Sequence, residues 1–259
     1  MGLNGLFEKV SDPYERQARL WPALLAILPL LALLGVVYAP LTSLLTTVAM
    51  LAGSCGVLYL FTNIAREQGK RLEPSLFESW GGKPTTQLLR HRDKTIEVVT
   101  KRRYHDFLSR MIHEPFPESK VEADDPLHAD EVYQSGVRWL LNQTRDTATF
   151  ALLFKENVAY GFRRNGLGLR PLGLTVSICS ALWTLFMSRV LNLTWGEIFD
   201  DRAISNMTEP EIVVLAVSLS MTAVWLFFFT RGNVQRSAFT YAETLLRSCD
   251  ILDKPEHAP

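Results

Sequence analysis

The sequence predicts an all-α membrane protein: two transmembrane helical hairpins, four spans in all, with a mainly helical cytoplasmic domain inserted between them. Three observations carry this. Charged residues make up 21% of the 259-residue chain, yet none occurs in 20–61, 171–188 or 212–230. The residues between the second and third of the predicted spans are strongly charged and contain no Gly/Ser linker. Nowhere does a sustained alternation of β-branched residues bounded by turns suggest a strand.

The first span is the run 20–38, LWPALLAILPLLALLGVVY. At 1.5 Å per residue a helix of this length covers a hydrocarbon core of about 30 Å. It is too long for the apolar region of a cleavable signal, and a second run follows at once. Pro22 and Pro29 interrupt it, which spanning helices tolerate when neighbours satisfy the freed carbonyls. Ala39 and Pro40 give a turn, and 41–62 forms the second span. The third span is predicted at 171–190 and the fourth at 212–230. Trp21, Tyr38, Tyr59 and Trp225 fall near span ends, where amphipathic rings sit at the headgroup level.

Orientation follows from Lys and Arg, which total 27 against 27 Asp and Glu. Eighteen of these cations lie in 63–170, and the N-terminal segment adds Lys9, Arg16 and Arg19. The tail adds Arg231, Arg236, Arg247 and Lys254, whereas the loop between spans three and four holds Arg202 among five acids. The positive-inside rule then places both termini and the central domain in the cytoplasm. The boundaries read as 1–19 for the N-terminal segment, 20–62 for hairpin one and 63–170 for the cytoplasmic domain. Hairpin two is 171–230 with its outer loop at 191–211, and the cytoplasmic tail is 231–259. A net charge of zero removes a general attraction to nucleic acid. The charge-free runs make a water-soluble enzyme a poor first reading.

Within the central domain, 94–112 reads as a helix with Ile96, Val99, Phe107 and Met111 on one stripe. Pro115 and Pro117 end it. The acidic stretch 118–125 reads as an exposed loop. A long helix is expected over 130–163, broken at 165–170, NGLGLR, before the third span.

The most distinctive motif is WGGKPTTQLLRHRD, residues 80–93. Gly81 and Gly82 permit positive φ and a close approach to backbone. Lys83, Arg90, His91 and Arg92 supply donors around them, so the segment is an anion-site candidate. The spacing is not that of a Walker loop; the competing reading is a glycine turn that docks Trp80 at the membrane edge. Lys101, Arg102 and Arg103, beside Tyr104 and His105, extend the candidate, because cations with aromatics hold nucleotides by charge and stacking. Arg163, Arg164 and Arg170 read instead as contacts to lipid phosphate. His91 with Asp93 and His105 with Asp106 lack metalloprotease spacing and read as solvated or salt-bridged histidines. Cys55, Cys179 and Cys249 match no metal or disulfide framework, and the two in apolar runs read as small packing residues. No catalytic residue, metal site or cofactor is expected.

In the third span Ser177, Ser180, Thr184 and Ser188 share one helix face. Thr42, Thr46, Ala49, Gly53 and Gly56 make a small-residue face on the second, and Ser218 and Thr222 lie four apart on the fourth. Such faces let helices approach closely. The alternative is that Ser177, Ser180, Thr184 and Ser188 line a water-filled pore in a homo-oligomer, with a tetramer expected before a dimer. No ionisable group lies deep in a span, which disfavours a pump.

WGGKPTTQLLRHRD and ENVAYGFRRNGLGLRPLG (156–173) resemble signature stretches of bacterial membrane proteins. The layout resembles the four-transmembrane effector proteins of bacterial antiphage systems, which implies a bacterial inner membrane. That resemblance implies a cytoplasmic part that senses a nucleotide-type signal and spans that disturb the membrane. The function expected is an oligomeric channel or membrane-disrupting effector gated by an anionic, nucleotide-type ligand. The alternative is a non-conducting anchor or scaffold that recruits a soluble partner protein. The lipid bilayer and further copies of the chain are partners in the first reading.

Overall fold

The computed structural model describes residues 13–38, 44–191 and 201–254, and helices are its regular elements. Helix α1 is Trp21–Tyr38, entered through a turn at Pro13–Glu15 and a π-helical turn at Arg16–Leu20. Helix α2 is Leu44–Ser79, α3 Pro84–Leu89, α4 Val98–Ile112, α5 Ser119–Asp124 and α6 Pro126–Gln143. Helix α7 is Ala151–Met187, α8 Glu209–Phe227 and α9 Arg231–Arg247. Single turns stand at Asp201–Ile204 and Cys249–Leu252.

Three helical stretches are long and apolar enough to cross a membrane: Pro13–Val37, Ala151–Met187 and Glu209–Phe227. Pro29 lies inside the first without ending it. The predicted second span begins outside the described residues, as does Thr42 of its small-residue face; from Leu44 onward it forms the first part of α2.

The chain divides into two compact units. The first comprises Met1–Leu72 and Gly161–Asn233, the second Glu73–Tyr160 and Val234–Pro259. In the first unit α8 packs on α1, and the core gathers Ala23, Ala26, Ala65, Leu169, Trp225 and Phe229. Trp225, expected at a membrane interface, is instead fully buried and stacks on Phe229 with ring centroids 4.7 Å apart. The expected break at NGLGLR does not occur, since α7 runs through it. Its glycines serve contact rather than termination. A Cβ at Gly166 would lie 1.9 Å from Cε1 of Phe229, and one at Gly173 would lie 2.2 Å from Cε2 of Trp225. Asn165, also read as a breaker, is fully buried and its Nδ2 donates to the Ala18 carbonyl at 2.8 Å. The third span ends at Met187, after which Arg189 takes a left-handed φ of 63°.

The second unit is built around α6, which touches α3, α4 and α5. Its core joins Leu88, Leu108, Tyr133 and Leu140 to Leu245 and Leu246 of α9, so the C-terminal helix completes the central domain. The helix expected at 94–112 begins only at Val98, because Asp93 accepts the Thr95 N–H at 2.9 Å and holds a turn there. Val99 is 67% exposed; the buried face of α4 runs instead through Tyr104, Phe107 and Leu108. The acidic stretch 118–125 is not a loop. It forms α5 and buries Glu122. The long helix expected at 130–163 is broken between Gln143 and Ala151. There Asp146 accepts the N–H groups of Ala148 and Thr149, a local bond that competes with the helix ladder.

Candidate functional site

The turn between α2 and α3 is set by Gly81 and Gly82, with φ of 85° and 130°. Both values lie where a side chain is strained. At Gly82 a Cβ would also meet Nη2 of Arg90 at 2.9 Å. Arg90 is folded back into this turn. Its Nε and Nη2 donate to the two carboxylate oxygens of Asp130 at 2.8 and 2.5 Å, and Nη1 donates to the Gly81 carbonyl at 2.9 Å. The bond to Asp130 raises the Arg90 pKa above its ordinary value, against a smaller desolvation effect. All three nitrogens of the guanidinium therefore brace the domain.

The other predicted anion-site residues do not converge on one point. Lys101 is buried, and its Nζ donates to the carbonyls of Arg90 and Asp93 at 2.7 and 2.6 Å. Burial lowers its pKa, with Asp93 acting in the opposite sense. Arg103 pairs with Asp250 at 2.7 Å, and the hydroxyl of Tyr104 donates to the same carboxylate at 3.0 Å. Arg102 and Arg92 are exposed. His91 uses Nε2 to donate to the Pro117 carbonyl at 2.9 Å.

His105 is neither solvated nor salt-bridged. It is buried, donates from Nε2 to the Leu89 carbonyl at 2.7 Å, and lies among the rings of His91, Phe116 and Tyr133. Burial lowers its pKa to about 4. Nearby Glu122 accepts from the His91 N–H at 2.7 Å and from the Tyr133 hydroxyl at 2.8 Å. Burial pushes its pKa up, but these hydrogen bonds prevail and hold it below the usual value. Burial likewise raises Tyr133 and Cys249. Cys249 is the buried cysteine; Cys55 and Cys179, expected as packing residues, are exposed.

The hydroxyl face of the third span is covered within the chain. Ser177, Ser180 and Thr184 are at most 3% exposed. Ser177 donates to the Gly173 carbonyl at 2.7 Å, Thr184 to Ser180 at 2.8 Å and half-buried Ser188 to Leu185 at 3.2 Å. Side chains of Arg164 and Asn165 also bond each other, at 3.1 Å.

The second unit opens a cleft of about 220 Å³ between the Lys83–Thr85 segment, α6 and α9. Its walls include Phe77, Val137, Leu141 and Leu245, with Tyr160 and Tyr241 stacked at 6.2 Å. Lys83 and Arg138 stand among the lining residues, and no Asp or Glu does. Nζ of Lys83 donates to Oε1 of Gln134 at 2.7 Å. Sequence reasoning found Lys83 and missed Arg138. The signal was present: Gln134, Val137, Arg138 and Leu141 repeat at 3, 4 and 7, as do Ala238, Tyr241, Ala242 and Leu245. Among the described residues no group of His, Cys, Asp and Glu is arranged to hold a metal ion.

No protein family, curated protein or solved structure matches this chain.

Proposed function

We propose that the chain is a membrane-anchored binding protein of four spans, with both termini and its helical domain in the cytoplasm of an inner membrane. The domain takes an anionic ligand, and through it recruits a soluble partner, while the spans anchor without conducting. The observation that carries this reading is the cleft of the second unit, where two cations stand without an acid in the lining. Apolar concavities with a few convergent polar groups are the usual form of a ligand site. The helices long and apolar enough to cross a membrane supply the anchor.

Burial of the third span's hydroxyl face favours an anchor over the oligomeric channel or antiphage effector. The Ser177 and Thr184 hydroxyls already donate to carbonyls of their own helix and are buried in a single chain. A wet pore face needs polar groups turned toward water. The test is ion flux across proteoliposomes containing the purified full chain, with protein-free liposomes as reference. Equal flux in both supports the anchor. Flux above the reference that falls with Thr184→Leu would restore the channel, with Ser177, Ser180, Thr184 and Ser188 along its path.

A further inference from the structure

We infer that the cleft lined by Lys83, Arg138 and Leu245 binds a medium-chain acyl carboxylate, an inference that rests on the binding-protein reading above. Charge gives the first half of the argument. The second unit pairs many of its cations with carboxylates: Arg90 with Asp130, Lys101 with Asp93, Arg103 with Asp250, Arg110 with Asp253 and Arg247 with Glu243. The cleft breaks this habit. The Lys83 ammonium meets the neutral amide of Gln134. Arg138 has no ion-pair or hydrogen-bond partner among the described residues, and it is exposed. A carboxylate between them would gain charge-assisted hydrogen bonds, and the guanidinium fork matches its two oxygens.

Shape and polarity give the second half. Besides the two cations the lining includes Phe77, Val137, Leu141, Ala242 and Leu245, with the rings of Tyr160 and Tyr241. Val137 and Leu245 belong to the core, so the cleft reaches apolar interior rather than skimming the surface. A volume of about 220 Å³ equals the liquid share of about seven waters. It admits an apolar body of roughly eight heavy atoms. Burying such a chain is favourable in proportion to the apolar area removed from water. An inorganic anion would leave that surface unused, and a neutral chain would leave both cations unmet.

The test uses the full chain in lipid nanodiscs, with empty nanodiscs subtracted, and octanoate titrated by calorimetry. Saturable binding with one octanoate per chain is expected. Octanol, which keeps the chain without the charge, and acetate, which keeps the charge without the chain, should each bind about tenfold more weakly or worse. Lys83→Ala and Arg138→Ala should each weaken octanoate binding about tenfold or more, as loss of one charge-assisted contact implies. Arg102→Ala, at an exposed cation outside the cleft, should change nothing. Far-ultraviolet circular dichroism and melting of the variants matched to wild type establish that the fold is kept. Octanoate uptake no greater than that of empty nanodiscs overturns the inference. So does octanol or inorganic phosphate binding as tightly as octanoate, or a Lys83→Ala/Arg138→Ala double variant that binds like wild type. A chain that conducts and still binds octanoate would overturn the anchor and keep the site; a silent chain that ignores octanoate would do the reverse.

Discussion

Single residues in the second unit show how a polar group becomes structural once a fold buries it. His105 is the plainest case. Its pKa is lowered to about 4, chiefly by burial, against an ordinary value near 6.5. A base held neutral in the folded state takes up fewer protons than the unfolded chain between those two values. Stability is therefore full above pH 6.5 and is lost as pH falls from there toward 4. The loss between pH 7.5 and 5 amounts to about 2 kcal/mol for this one group. Glu122 adds little in that window, because its lowered pKa keeps it ionised until more acid conditions. Lys101, which faces the same region through its bonds to the Arg90 and Asp93 carbonyls, has its own pKa lowered by burial. Melting of the full chain at pH 7.5 and 5 should show the drop, and His105→Gln should flatten it. An unchanged slope in the variant would place the acid sensitivity elsewhere.

Elements in the first unit are held by close approach rather than by stripe chemistry alone. Gly166 and Gly173 of α7 lie against the rings of Phe229 and Trp225. Gly166→Ala would gain helix propensity, about 1 kcal/mol, yet must move the Phe229 ring, and overpacking costs roughly 1–3 kcal/mol. The net expectation is destabilisation of up to about 2 kcal/mol. Gly53 of α2 is the counterpart, where an added methyl would meet nothing within 4 Å. Gly53→Ala should be neutral or slightly stabilising. Thermal unfolding of both variants in one detergent measures the difference. A stabilised Gly166→Ala would mean that the Phe229 ring yields at little cost. The same close contacts explain why a sequence such as NGLGLR continues a helix: burial of the neighbours outweighs the intrinsic cost of glycine.

At the scale of the whole molecule the prediction is topology. Eighteen Lys and Arg fall in 63–170, while the segment between the last two spans holds Arg189, just past the end of α7, and Arg202, among acids. Cysteine introduced at Ser205, in a background lacking Cys55, Cys179 and Cys249, should react with an impermeant reagent added outside intact cells. Cysteine at exposed Ser119 should react only after lysis. The reverse pattern would invert the orientation and move the cleft to the other side of the membrane.

Composition and periodicity by themselves determined that the chain is helical and where its charge-free, membrane-length stretches lie. Those features are local: a run of apolar residues and a missing β-alternation are visible without knowing any contact. Only the tertiary structure decided which polar groups remain available. Arg90 and Lys101 look like ligands in a linear motif, but Asp130 lies forty residues from Arg90 and is brought to it by α6. Arg138 belongs to no linear motif, because the residues across the cleft from it come from α2, the Lys83–Thr85 segment, α7 and α9. The helix break at Asp146, the continuity through NGLGLR and the burial of Trp225 were equally hidden. Each depends on a competition between local backbone preference and contacts distant in sequence, and a single chain of letters displays only the first of the two.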